Sequence, residues 1–211
     1  MIRFYLTTLL LFLSFFLSAQ ESDSTSVQNT DSTGATAIDR IFMPSFEFGY
    51  MTNASEMLTG GTFAKLSLEY RFSNINNGFL RANLDTRNAD YVIGEAGATD
   101  VVEGSLDLTE FLIGGGYRGG DRRYRLFVLG QVGLAFYDYP IVERTGNTVN
   151  ISFENRNVTS TRATVGIEYY FDDRNALDLE ILQDQVWDRK DFWINKGGSW
   201  GISVGWVATI F

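Results

Sequence analysis

The chain has 211 residues, 45% hydrophobic, 15% aromatic and 20% charged, with a formal net charge of −9 and neither His nor Cys. The two missing residue types exclude disulfides, thiolate chemistry, Cys or His metal centres and any nucleophile that depends on imidazole. The acidity argues against a nucleic-acid partner, which needs a basic patch, and 2 Pro against 21 Gly suits long strands.

At the amino end, Arg3 precedes an apolar stretch over residues 4–17, and the small Ser18 and Ala19 follow it. These 14 residues fall short of the ~20 that a bilayer-spanning helix needs. Residues 1–19 are therefore expected to be a cleaved secretory signal peptide. Residues 20–39, dominated by Ser, Thr, Asp and Asn, are expected to form a flexible polar tail. The fold then belongs to residues 40–211.

From about Pro44 onward the hydrophobic period is two, which predicts eight strands. In the first, Phe46, Phe48 and Tyr50 oppose Glu47. In the second, Leu66, Leu68, Tyr70 and Phe72 oppose Lys65, Ser67, Glu69 and Arg71. The third sets Leu80, Ala82 and Leu84 against Arg81, Asn83, Asp85 and Arg87. The fourth breaks phase between Leu106 and Leu108 on one parity and Phe111, Ile113 and Tyr117 on the other, which predicts a bulge near Thr109 and Glu110. The fifth carries Leu126, Val128, Val132, Leu134 and Phe136 opposite Arg125 and Gln131. The sixth sets Ala163, Val165, Ile167, Tyr169 and Phe171 against Arg162, Thr164, Glu168 and Tyr170. In the seventh, Leu177, Leu179 and Ile181 oppose Asp178, Glu180 and Asp184. In the eighth, Ile202, Val204, Trp206, Ala208 and Ile210 oppose Gly201, Ser203, Gly205 and Thr209.

The connections alternate in length. Tight ones are expected at 73–78, 119–123 and 172–175, and long ones at 88–104, 138–158 and 185–198, after an intermediate one at 51–61. That alternation predicts an eight-stranded antiparallel up-and-down barrel crossing an outer membrane, with short periplasmic turns and long outer loops.

Alternation alone does not say which face is inside. The charged face decides: Lys65, Arg71, Arg81, Arg87, Arg118, Arg125 and Arg162 stand against Glu47, Glu69, Asp85, Glu110, Glu168, Asp178 and Glu180. Seven cations meet seven anions, a balance that a sealed interior needs because an unpaired buried charge costs several kcal/mol. Six of the cations are Arg, whose planar fork suits two-point pairing with carboxylates. Tyr70, Phe72, Phe79, Tyr117, Tyr124, Tyr169, Tyr170 and Phe171 lie beside the tight turns, where an aromatic girdle is expected.

On these features the chain resembles the small eight-stranded outer-membrane barrels, the kind represented by outer-membrane protein X and the membrane domain of outer-membrane protein A. The resemblance covers residues 40–211. It implies a last strand that ends in an aromatic residue and is read by the barrel-assembly machinery during insertion. Phe211 matches, but Thr209, Gly205 and Ser203 share its parity, so the strand is bulged near its end or the signal is a variant. Outer-membrane enzymes of barrel type rely on His, so the resemblance does not carry their activities over.

No residue is assigned to catalysis, a cofactor or a metal. Asp172 and Asp173 suit a turn for backbone reasons. The acidic Asp90, Glu95, Asp100 and Glu103 match no calcium-loop spacing. In the last long connection Trp187, Arg189, Phe192 and Trp193 are candidates for recognition, with membrane-boundary anchoring by Trp187 and Trp193 as the competing reading. The expected protein is a non-enzymatic integral outer-membrane barrel with a charge-filled interior, structural, adhesive or accessory to an envelope assembly. Its expected partners are outer-membrane lipid, the assembly machinery and an extracellular or envelope protein. Porin-like transport and a secreted lipocalin-like binder are the alternatives.

Overall fold

The computed structural model describes residues 42–52, 55–71, 77–94, 101–121, 123–145, 148–172, 174–190, 193 and 198–208. The expected signal peptide and tail lie outside the described residues, as do Phe72, Glu95, Asp100, Asp173, Phe192 and Phe211.

Eight strands follow one another in chain order: β1 (Phe42–Met51), β2 (Leu58–Arg71), β3 (Gly78–Ile93), β4 (Val102–Gly120), β5 (Tyr124–Thr145), β6 (Thr148–Tyr170), β7 (Asn175–Trp187) and β8 (Ser199–Ala208). Each pairs antiparallel with the next, and β8 pairs with β1 to close the barrel. Closure removes the open edges that a flat sheet would expose.

Burial alternates along every wall, and it does so inside out. Lys65 and Arg81 are buried, whereas Leu68 (49% exposed) and Val165 (46% exposed) face outward. Phe48, Phe111, Leu126, Ile181 and Val204 extend the same apolar belt around the barrel. Only hydrocarbon solvates such a belt without a large penalty, and only a closed barrel satisfies every backbone group there. The lipocalin-like alternative needs the opposite arrangement and is excluded. Tyr124 stacks near Tyr169 (ring centroids 5.0 Å apart) and Phe171 near Trp206 (5.9 Å) at the tight-turn rim, where an aromatic girdle belongs.

The tight turns are built by side chains that replace missing backbone partners. Asp121 accepts hydrogen bonds from the backbone amides of Arg123 and Tyr124, and Asp172 from those of Arg174 and Asn175. Gly120 precedes Asp121 with φ of +134°, a region that a side chain rarely adopts.

Several expectations need correction. The fourth strand has no bulge: β3 and β4 pair without interruption from Gly78↔Tyr117 to Ile93↔Val102. Leu106, Leu108 and Leu112 face inward; Leu106 and Leu108 do so because the lumen is apolar at their height rather than charged throughout. The register shift falls instead in β2, between Leu58 and Gly61. Phe79 and Tyr170 are buried in the lumen and do not join the girdle, since they share the parity of Arg81 and Glu168. The long connections are shorter than expected because strand pairing continues past the lipid belt. β3 reaches Ile93, and β5 and β6 are joined across residues 146–147. Hydrogen bonds such as Asn88 Nδ2 to Asp107 Oδ1 (2.8 Å) and Asn155 Nδ2 to Asp138 Oδ1 (3.1 Å) link neighbouring strands there. At the carboxyl end β8 keeps regular pairing as far as Asn175↔Ala208, so no bulge interrupts it up to that residue.

Candidate functional site

Among the described residues, the buried chemistry-bearing side chains converge in the lumen. They arrive there because residues two apart on a strand share a face. Nearest the tight turns, Glu69 on β2 is surrounded by three guanidinium groups. Its Oε1 accepts from Arg71 Nε at 2.7 Å and from Arg118 Nη1 at 2.5 Å, and its Oε2 accepts from Arg81 Nη2 at 2.9 Å. Arg118 also reaches Glu168 Oε1 at 2.6 Å, and the Tyr170 hydroxyl donates to Glu168 Oε2 at 2.8 Å. Phe79 and Phe127 form a floor beneath these charges: the Arg118 guanidinium lies 4.6 Å from the Phe79 centroid and that of Arg81 4.7 Å from the Phe127 centroid. An aromatic face compensates a desolvated cation in the direction a carboxylate does not cover.

One level up, Lys65 is 1% exposed and bridges Glu47 Oε2 (2.6 Å) and Glu180 Oε2. Arg81 Nη1 takes the other Glu180 oxygen at 2.6 Å and so ties this level to the one below. Further toward the outer end, Arg162 pairs with Asp85, with Glu110 Oε2 (2.6 Å) and with Asp184 Oδ1 (3.3 Å).

Three of the expected interior charges sit differently. Arg87 is buried and donates to neutral groups: the Thr52 carbonyl at 3.1 Å, the Ser199 hydroxyl at 3.3 Å and the Met51 sulfur. Arg125 is half-buried at the tight-turn mouth, with its guanidinium 5.2 Å from the Tyr170 ring centroid. Asp178 is fully buried with both oxygens lacking a hydrogen bond. Sequence reasoning left Asp184 out of the charge inventory, although its parity with Glu180 was the available signal.

Above the charges the lumen turns apolar. Leu58, Ala89, Tyr91, Leu106, Leu108, Ala135, Tyr137, Val186 and Trp193 pack as one buried cluster. Trp193 is 4% exposed, and its ring lies 5.4 Å from that of Tyr137. It is thus neither an exposed recognition residue nor a membrane anchor, because its ring packs into the luminal cluster. Trp187 is the outward one, 62% exposed, with Nε1 donating to Thr161 Oγ1 at 2.9 Å. Arg189 is exposed beside it, its amide donating to Asp188 Oδ1 at 2.6 Å.

A second polar group, unforeseen from the sequence, crowns this cap. Arg156 holds Asp188 through Nη2 (2.9 Å) and Nε (3.1 Å), and Glu154 through Nη1 (2.8 Å); Lys190 pairs with Glu154 at 3.1 Å. Burial pushes the Asp188 carboxyl up, but hydrogen bonds from Arg156 and Tyr137 outweigh it and hold the group below the usual range. Hydrogen bonds from Lys190 and Arg156 lower Glu154 in the same sense.

No family model matches the chain, and no curated protein matches it in sequence. Solved structures do match in fold. Neisserial surface protein A is 14% identical and superposes with a TM-score of 0.51 over 80% of this chain and 97% of that one. The outer membrane protein OprG from Pseudomonas aeruginosa is 9% identical, with a TM-score of 0.59 over 79% of this chain and 94% of that one. With its eight-stranded closed sheet, apolar exterior and charged lumen, this chain has the fold of a small outer-membrane β-barrel.

Proposed function

We propose that this chain is a non-enzymatic, non-conducting barrel of the outer membrane that holds a β-ribbon above the bilayer for contact with an extracellular or envelope protein. The observation that carries the reading is the closure of the lumen. Arg81 and Arg118 join walls on opposite sides of the barrel, and the cluster around Leu108 and Trp193 caps the outer mouth. An eight-stranded barrel is narrow enough for side chains to fill it, which disfavours porin-like transport.

The ribbon supports the display role. Pairing of β4 with β5 ends at Leu108↔Tyr137, and pairing of β6 with β7 ends at Thr159↔Trp187. Residues 138–145 and 148–155 therefore pair with each other beyond both neighbours. Their outward face is polar at Asp138 and Asn155 and then apolar again at Ile151 and Phe153. A polar step separates this patch from the lipid belt, so protein rather than hydrocarbon is its natural cover. Lipid surrounds the belt, and the barrel-assembly machinery would act at insertion.

Two measurements test the reading. The folded protein in planar bilayers is expected to be electrically silent, and discrete conductance steps would reject the sealed lumen. Because the chain has no Cys, Ile151→Cys gives a unique label site; a membrane-impermeant maleimide should modify it on intact cells, and protection would reject outward display.

A further inference from the structure

The buried charges do not balance, and the imbalance has an address. Among the described residues eight carboxylates are buried in the lumen against six cations. Arg125 at the mouth makes seven, so one carboxylate is left over. Hydrogen bonding identifies it. Asp85 and Glu110 each keep one unbonded oxygen but use the other on Arg162. Asp178 is 0% exposed, and neither of its oxygens has a hydrogen-bond partner. An ionised carboxylate in that condition costs several kcal/mol, and such a group in a native fold calls for an occupant.

Asp178 lies in a buried cluster of carboxylate oxygens. Oxygens of Asp178, Glu47 and Glu180 all lie within 4.8 Å of one another. Lys65 and Arg81 take up both Glu180 oxygens, and Lys65 and the Ser203 hydroxyl take Glu47 Oε2. On the Asp178 side there remain its own two oxygens and Glu47 Oε1, which receives only the Ser45 hydroxyl at 3.3 Å. Gly205 lies between the two carboxylates, as the register partner of Glu47 on one side and of Asp178 on the other. A Cβ there would collide with Glu47 Cγ, so the glycine makes room for the Glu47 side chain that carries Oε1.

We propose that the lumen binds one monovalent hard cation, with sodium as the probe, held by the Asp178 carboxylate and Glu47 Oε1 above Gly205. An all-oxygen ligand set favours a hard ion, and a single excess negative charge favours a single positive one, since a divalent ion would leave the sealed tube positive. This inference goes beyond the display role and stands or falls separately from it.

Because the lumen is closed, the ion must be exchanged while the chain is unfolded. The full chain is refolded into detergent micelles in sodium chloride, or in N-methylglucamine chloride of equal ionic strength, and its unfolding midpoint is measured. Sodium should raise the wild-type midpoint in a saturable way, as a ligand of the folded state does. In Asp178→Asn the sodium-dependent shift should vanish, with the variant at least as stable as wild type in N-methylglucamine. Gly205→Ala, which keeps every carboxylate, should also lose the shift. Equal wild-type midpoints in the two salts would overturn the proposal, as would a shift that survives Asp178→Asn. A midpoint that follows pH and ignores sodium would overturn it too, because a proton would then be the occupant.

Discussion

Arg81 on β3 donates through Nη1 to Glu180 on β7 at 2.6 Å, although four strand-to-strand steps separate the two strands in either direction around the barrel. The bond therefore crosses the lumen instead of running along a wall. Arg118 on β4 reaches both Glu69 on β2 and Glu168 on β6, which are likewise four steps apart, so the interior is a set of struts whose removal loosens opposite walls at once.

The Arg162 strut gives the sharpest test. Its guanidinium faces Asp85, Glu110 and Asp184, so Arg162→Leu leaves three carboxylates without their shared cation. Breaking a buried pair from one side costs roughly 3–5 kcal/mol. Urea unfolding in detergent should show a loss of that order, and Arg71→Leu, nearer the mouth, a smaller one. An unchanged midpoint for Arg162→Leu would mean that the carboxylates are neutral without it.

The exterior makes the opposite demand. Leu68 and Val165 are half-exposed on the belt, and a cation on the lipid face near the midplane costs ~2–4 kcal/mol. Leu68→Arg and Val165→Arg should each reduce stability in bilayers by that amount, read from the same unfolding curves. If both variants insert and unfold as wild type does, the lipid belt lies elsewhere on the chain.

How much of this was written in the sequence follows from what a period of two encodes. Parity gave the face of Lys65, Glu69 and Arg81 correctly, since each strand offers only two faces. Parity carries no height, so it did not tell Arg81 that its partner is Glu180 as well as Glu69; that depends on strand stagger around the barrel. Leu106 and Leu108 misled because the apolar-outside pattern reverses where the lumen itself becomes apolar. The ribbon over 138–158 was read as loop because hydrophobic alternation fades where both faces of a strand meet water. Trp193 followed no period at all, and its burial rests on packing against Tyr137 at the outer end of the lumen.

The packing of Trp193 on Tyr137 predicts how the last connection behaves when that ring is removed. Trp193→Ala deletes a buried ring packed on Tyr137, a change worth about 3–5 kcal/mol of packing. The effect should stay local, because the strands below are held by their own pairing and struts. Trypsin should cut after Arg189 or Lys190 at least about a hundredfold faster, as the open population rises tenfold per 1.4 kcal/mol. The heat-dependent gel shift of the folded barrel should be unaltered. Equal cleavage rates would show that Trp193 does not hold the connection down.

The crown above Trp193 should respond to acid. Asp188 and Glu154 both titrate below their ordinary values, Asp188 because its hydrogen bonds from Arg156 and Tyr137 outweigh burial, Glu154 through its hydrogen bonds from Lys190 and Arg156. A carboxyl whose folded pKa lies below its unfolded one contributes stability that is complete above the unfolded value, about 4. That contribution is lost as pH falls through the folded value. Hydrogen-exchange protection factors, corrected for the intrinsic rate at each pH, should therefore be high at residues 150–158 and 186–190 at pH 7 and pH 5 and fall below about pH 4. In Arg156→Leu the same amides should exchange faster at pH 7 already, and their acid dependence should flatten. A protection factor that falls on raising the pH from 5 to 7 would reverse the sign and refute the pairing.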